Sequence, residues 1–328
     1  MRMTTLPISF ADLDAARARL SPFVTPTPAR NYGVLDAEVG CDIELWVKHE
    51  NHQPTGSFKI RNGLSAATAL DSEARSRGMI AASRGNHGQG VAYAGQLLGI
   101  GATICVPAGN SPAKNQAMRS LGATLVEEGK DYDESLAVAH ALAEARGLTM
   151  VHSTNDRMVI AGASTITAEF LEQVPTLEAL VVAVGGGSQA VGAITAARQK
   201  NPEIEVYGVQ AAAASAIHDS YHAGEKLRKD SANTFADGLA TRTCYEMTFP
   251  ALCDGLRDFV TVTEAQIAAA VRLYINSGCG LAEGAGAAGL AGLLTLAPRL
   301  AGKRVGVIMS GGNIDADILR SVLNPDFE

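Results

Sequence analysis

An α/β fold built on mostly parallel sheets is what this 328-residue chain predicts, and three observations carry the prediction. Strand-like apolar runs alternate with helical patterns almost throughout. Three of those runs end in a glycine-rich turn that opens into a helical stretch. The composition also fits, because 34 glycines against 5% aromatic residues suits many tight strand-to-helix connections.

One compact set of elements lies between residues 79 and 151. Met79–Ala82 reads as a strand, and Gly90–Leu98 as a helix ended by Gly99. Ala102–Val106 is the next strand, followed by a helix with Ser111 as its cap and Pro112 in its first turn. Gly122 closes that helix. Thr124–Val126 is a strand, Tyr132–Ala145 a helix ended by Gly147, and Thr149–Val151 a strand. Residues 79–151 therefore read as a small lobe, inserted in a larger one formed by 1–78 and 152–328. Strands at 180–184, 205–209 and 305–309 belong to the larger lobe. The apolar stretch Gly284–Ala297 is rich in Gly and Ala and too short to span a bilayer, so it reads as a buried helix packed through small residues.

The hydrophobic fraction of 47% is enough for a large core. A net charge of −7, with no Lys/Arg cluster, argues against nucleic acid or an anionic membrane as partner. The N-terminus lacks an apolar signal core, and five cysteines scattered without CxxC spacing read as reduced and metal-free, so a cytoplasmic protein is expected.

The segment Thr55-Gly56-Ser57-Phe58-Lys59-Ile60-Arg61-Asn62 places a lysine straight after a short turn, at the start of a helix marked by Leu64, Ala67 and Leu70. A shielded lysine amine forms Schiff bases; a solvated one does not. The glycine turns are Ser83-Arg84-Gly85-Asn86-His87-Gly88, Gly185-Gly186-Gly187-Ser188 and Ser310-Gly311-Gly312-Asn313, each after an apolar run. A strand, a glycine turn and a helix N-terminus together make an anion site, since backbone N–H groups converge there and the helix dipole favours negative charge. Any one of them alone reads first as a tight strand-to-helix connection.

In series, from about Leu45 to Asp315, these segments resemble the fold-type II pyridoxal-phosphate (PLP) enzymes, the tryptophan synthase β superfamily. Within it they are most similar to the serine/threonine dehydratase and serine racemase branch. The resemblance implies a two-lobed fold with mostly parallel twisted sheets, helices on both faces, PLP between the lobes and a small mobile lobe that closes over the substrate. It implies Lys59 as the Schiff-base lysine and the base for the Cα proton, with Phe58 near the ring or simply in the core. Asn86 then bonds the ring's 3-hydroxyl, and the turn Ser83, Arg84, Gly85, Asn86 and His87 holds the substrate carboxylate, with His87 supporting the loop more than acting as a base. Gly185, Gly186, Gly187 and Ser188 become the phosphate cradle, with serine in place of the family's fourth glycine. Ser310 faces the pyridine nitrogen as a neutral partner, Glu283 lies near the ring and leaving group, and Asp237-Gly238 gives structural support to a substrate-side loop. The assembly expected on this basis is a homodimer.

Two positions depart from the racemase pattern. Where that enzyme has a serine as acid/base on the opposite ring face, this chain has Arg84, and a guanidinium does not accept a proton at neutral pH. Racemisation is therefore expected to be weak or absent. Arg84 is left to contact a substrate carboxylate, to stack on an aromatic ring, or to bridge the lobes. Racemase-like members also carry acidic cation ligands where this chain reads Val209-Gln210-Ala211-Ala212-Ala213-Ala214-Ser215-Ala216, with no carboxylate. No Mg²⁺ or Ca²⁺ site is expected there. The chain stops soon after the Ser310 turn, so the regulatory domain and isoleucine feedback of some biosynthetic threonine dehydratases are not expected.

The expected function is a PLP-dependent dehydratase (ammonia-lyase) that turns a β-hydroxy-α-amino acid into a 2-oxo acid and ammonia. L-Threonine and L-serine are the default substrates, or a bulkier one such as phenylserine. Serine racemase and a β-replacement enzyme of the cysteine synthase kind are the alternatives within the fold. A plain dinucleotide-binding protein is disfavoured by the lack of a GxGxxG with an acidic residue about twenty positions on.

Overall fold

The computed structural model describes residues 6–327. The described residues form ten strands: β1 (Ala29–Asn31), β2 (Glu44–His49), β3 (Met79–Ala82), β4 (Ala102–Val106), β5 (Thr124–Glu127), β6 (Thr149–Met150), β7 (Ala179–Ala183), β8 (Glu205–Ala211), β9 (Asp258–Val262) and β10 (Arg304–Met309). They form a six-stranded sheet, in the order β1-β2-β10-β7-β8-β9, and a four-stranded sheet, in the order β5-β4-β3-β6. Every pairing is parallel except β1 with β2, as expected where helical crossovers return the chain to the same edge. β3 and β7 are buried at every residue, which explains why both read as continuous apolar runs.

Element ends differ from the sequence reading by a few residues. The helix placed at Gly90–Leu98 begins at Asn86, and the helical stretch expected after the Gly185-Gly186-Gly187-Ser188 turn begins at Ser188. In both cases the helix reaches back into the glycine turn. Glycine and serine have low interior helix propensity but are well tolerated in a first turn, where the N–H groups have no helical partner. The helix at Pro112–Ser120 has Ser111 as its cap, as expected, with the hydroxyl accepting from the Lys114 N–H.

Four helices lie side by side and touch backbone to backbone through glycines. A Cβ on Gly63, in the helix Lys59–Thr68, would stand 2.2 Å from the carbonyl oxygen of Gly90, in the helix Asn86–Leu98. On its other side the same helix meets Arg157–Gln173, where a Cβ on Gly162 would stand 2.4 Å from the carbonyl oxygen of Arg61. Gly192, in Ser188–Lys200, continues the row against the Ser164 N–H at 2.7 Å. Gly284–Leu296 uses the same device on the six-stranded sheet: Cβ atoms on Gly286 and Gly292 would stand 2.3 Å from the Gly311 carbonyl oxygen and 2.2 Å from Val209.

Beneath the row sits a buried ion cluster. Arg61, 2% exposed, donates to both oxygens of Glu50 at 2.8 and 2.9 Å and to Glu169 at 3.1 and 3.2 Å. Lys48, fully buried, donates to Glu169, to Gln173 and to the Thr27 carbonyl. Two cations thus face two carboxylates inside the core, where an unmatched charge would be strongly unfavourable. The cluster ties β2 and the turn after it to the helix that carries Lys59.

Candidate active site

Four helices begin around one cavity. Lys59, Asn86 and Ser188 are the first residues of their helices, and Glu283 is the N-cap of Gly284–Leu296. Their positive dipole ends converge on a space of about 360 Å³, an arrangement that favours negative charge there. Phe58, Lys59, Ser83 to His87, Gly185 to Ser188, Glu283 and Ser310 all line it.

The segment before Lys59 is fastened to the turn after β10. Phe58 N–H donates to the Ser310 carbonyl at 3.0 Å, Gly312 N–H to Gly56 at 2.9 Å, and Asn313 Nδ2 to Thr55 at 2.8 Å. Glu283 joins through its N–H to the Gly311 carbonyl at 3.0 Å. Two glycines make these approaches possible. A Cβ on Gly311 would fall 2.4 Å from Glu283 Oε1, and one on Gly56, whose φ is +69°, would fall 2.4 Å from Asn313 Oδ1.

The electrostatics follow from burial. Removal from water pushes the Lys59 amine down to about 8, against the attraction of Glu283. Burial pushes the Glu283 carboxyl up to about 7, opposed first by its hydrogen bond from Asn86. Asn86 Nδ2 donates to Glu283 Oε1 at 2.5 Å, and Asn86 Oδ1 accepts from Asn313 Nδ2 at 2.8 Å. A lysine and a carboxyl that both titrate near neutrality share the cavity, a pairing of the sort that acid–base chemistry needs.

His87 is buried and donates through Nε2 to the Val151 carbonyl at 2.8 Å, and burial holds it neutral, down to about 3. Its ring braces the turn against β6's exit. Ser83 works inside the same turn, its hydroxyl accepting from Gly85 N–H at 3.1 Å and Gly88 N–H at 2.8 Å. The glycine triplet is shaped by close neighbours: Cβ atoms on Gly185 and Gly186 would stand 2.2 Å from the Gly238 carbonyl oxygen and 2.0 Å from Thr154 Oγ1. Gly187 has φ +103°. Among the described residues nothing accepts from the N–H groups of Gly186, Gly187 and Ser188, so three donors at a helix N-terminus are left to a ligand in the cavity.

Sequence reasoning passed over Lys114 and Arg242. The Lys114 stem runs along Gly85, and its ammonium pairs with Asp237 and, at 3.3 Å, with Asp315. Arg242 pairs with Asp133 and, at 3.0 Å, with Asp131. Both pairs join residues 79–151 to the irregular stretch 225–247. Nothing in their local sequence distinguishes them from solvated surface charges. Arg84 Nη2 stands 4.0 Å from Asp237 with its side chain 52% exposed, and no hydrogen bond from its guanidinium is made among the described residues.

A model of the pyridoxal-phosphate dependent enzyme family matches residues 20–311, and this chain belongs to that family. L-Threonine ammonia-lyase of Thermotoga maritima is 38% identical over 317 residues, covering 97% of this chain and 78% of the relative. L-threo-3-Hydroxyaspartate ammonia-lyase of Pseudomonas sp is 36% identical, covering 96% and 98%. Among solved structures, a threonine deaminase from T.th. superposes with a TM-score of 0.88 at 37% identity, covering 94% of this chain and 99% of that one. Maize serine racemase superposes at 0.91 with 30% identity, covering 97% of each. The fold is that of the fold-type II enzymes, and the cofactor is pyridoxal 5′-phosphate. The cavity fits that cofactor, with free N–H donors for a phosphate and a buried, readily neutral lysine for an aldehyde. No helix among the described residues is long and apolar enough to cross a membrane.

Proposed function

We propose that this protein is a dehydratase (ammonia-lyase) of β-hydroxy-α-amino acids, with L-threonine, L-serine or a bulkier analogue as substrate. The observation that carries the reading is the shared cavity of Lys59, at about 8, and Glu283, at about 7. Removal of a Cα proton needs a neutral amine, and departure of a β-hydroxyl needs a proton donor.

On this reading Gly185, Gly186, Gly187 and Ser188 hold the cofactor phosphate, Lys59 holds its aldehyde end, and Phe58, Asn86 and Ser310 bound its ring. PLP, when bound, supplies an electron sink for the pair left at Cα. The turn Ser83 to His87 orients the substrate carboxylate at the N-terminus of the helix Asn86–Leu98. Lys59 Nζ takes the Cα proton. Glu283 uses the carboxyl oxygen not bonded to Asn86 to hold or release a proton as the hydroxyl leaves as water. Residues 79–151 act as a small lobe that closes over the substrate, with Lys114–Asp237 and Arg242–Asp133 as the contacts that hold it shut. A homodimer in the cytoplasm completes the proposal, supported by family likeness alone.

The test is a panel of L- and D-threonine, L- and D-serine, threo-phenylserine and 3-hydroxyaspartate, assayed for 2-oxo acid and ammonia, with Lys59→Ala as the inactive control. Turnover of one substrate supports the reading. No oxo acid from any, with cofactor bound, overturns it in favour of β-replacement, which trapping with sulfide would reveal. Racemisation is disfavoured by Arg84, and comparable conversion of L-serine to D-serine would reverse that.

A further inference from the structure

We infer that Asn313, which borders the polar cavity next to the reaction site, is a positioning residue that makes Glu283 carry its proton on one oxygen, Oε2. The inference deepens the dehydratase reading, on which the use of that proton in turnover rests.

A backbone carbonyl can only accept. Asn313 lies 2.8 Å from the Thr55 carbonyl, so the atom it presents there is its amide nitrogen, Nδ2. The same nitrogen lies 2.8 Å from Asn86, which must answer with Oδ1, because two amide NH₂ groups cannot bond each other. Asn86 is left with Nδ2 toward Glu283, and it donates to Oε1 at 2.5 Å. One carbonyl thus sets the direction of a chain of three side chains, from Asn313 through Asn86 to Glu283. Turning Asn86 alone would oppose two donors at one end and two oxygens at the other.

Asn313 is itself held against the turn before Lys59. Gly312 N–H donates to the Gly56 carbonyl at 2.9 Å, and a Cβ on Gly56 would fall 2.4 Å from Asn313 Oδ1. Asn313 lines the second cavity, and Glu283 lines both.

The direction of the chain decides where the proton sits. Oε1 of Glu283 is committed as an acceptor, and on Gly311 even a Cβ would crowd it at 2.4 Å. Oε2 makes no hydrogen bond among the described residues, so a protonated Glu283 carries its proton there, free to go to the departing hydroxyl. If Asn86 could turn, its Oδ1 would accept that proton into the chain and stabilise the acid against giving it up.

The experiment titrates Glu283 in the holoenzyme by its carboxyl infrared band, taken as the difference between each protein and its Glu283→Gln counterpart. Wild type is compared with Asn313→Leu, which keeps the size and removes the donor, and with Asn313→Asp, which keeps the shape and offers Asn86 only acceptors. Glu283 should titrate about one pH unit higher in Asn313→Leu, a tenfold change in its ionisation constant, and higher again in Asn313→Asp. The charged groups around Glu283 are Lys59, Lys114 and Asp237, with Arg84 and Asp315 on the second cavity. All are unchanged in Asn313→Leu, so its shift reports hydrogen bonding and not charge. The pH profile of kcat should move with the infrared titration, while KM stays near that of the wild type. A titration that stays in place, or moves to lower pH, in whichever variant folds overturns the proposal; lost stability without a shift would mark Asn313 as a packing residue. If the infrared shift appears and no substrate yields oxo acid, the positioning role stands and the dehydratase reading falls.

Discussion

Gly63 and Gly90 face each other so closely that a Cβ on Gly63 would lie 2.2 Å from the Gly90 carbonyl oxygen, and one on Gly90 would lie 2.3 Å from the carbonyl oxygen of Lys59. The helix that carries the cavity lysine and the helix that carries Asn86 are thus set against each other by backbone contact, with no side chain between them to flex. Gly63→Ala is expected to force them apart, destabilising the protein by about 1–3 kcal/mol and weakening cofactor binding in the part that still folds. Urea unfolding together with a PLP titration measures both effects. Unchanged stability would show that the helices separate without cost.

The buried ion cluster should be intolerant of losing one partner. Glu50 is fully buried and held ionised, despite burial, chiefly by Arg61. Glu50→Gln leaves the Arg61 guanidinium in the core with Glu169 alone, at an expected cost of about 3–5 kcal/mol. The midpoint of chemical denaturation reports the loss directly. A change under about 1 kcal/mol would mean that water reaches the cluster.

Reconstitution of the apoenzyme with PLP should depend on pH through Lys59. Only the neutral amine attacks an aldehyde, so below about 8 the rate should fall roughly tenfold per pH unit. Glu283 attracts the ammonium form and so raises the lysine's value. Glu283→Gln should therefore lower it and shift the whole rate profile to more acid pH. A profile that stays in place or moves the other way would remove the electrostatic link between the two residues.

His87 contributes to acid sensitivity, with a definite sign. Its folded-state value, about 3, lies below the ordinary 6.5, so the unfolded chain binds the proton first as pH falls. The stability it provides is complete above 6.5 and is lost on acidification from there toward 3, with a limiting slope of about 1.4 kcal/mol per pH unit. His87→Gln does not titrate and keeps an N–H for the Val151 carbonyl. Its stability curve should be shallower over that window by one proton. Equal slopes would mean that His87 is protonated in the folded state.

Chelators should leave activity intact. At the end of β8 the chain offers Gln210 and then a run of alanines, and the next carboxylate, Asp219, is already taken by Lys229 at 2.6 Å, Ser215 at 2.9 Å and His218 at 2.9 Å. No group of three metal-ligating side chains occurs among the described residues. Activity lost with EDTA and restored by Mg²⁺ would overturn this expectation.

Much of this protein is written locally. The strand, glycine-turn and helix order at 79–90 and 180–190 is a short-range pattern, since each turn must relieve the backbone where a buried strand hands over to a helix; the turn after β10, expected to do the same, runs on without a helix until Ala316. The resemblance of the whole series of motifs to a known family, and not the glycine pattern alone, is what picked out Lys59, Asn86, Ser188, Glu283 and Ser310 together, and the structure places all five around one cavity. What only the tertiary structure decided depends on groups distant in sequence. The near-neutral values of Lys59 and Glu283 come from burial in a shared cavity, 224 residues apart along the chain by the difference of their numbers. Lys114 and Arg242 look like surface charges until packing brings them to Asp237 and Asp133. Glycines such as Gly63 and Gly162 read as helix weaknesses in one dimension. In three dimensions they are contact points, because only a helix without a side chain there lets a second backbone come so near.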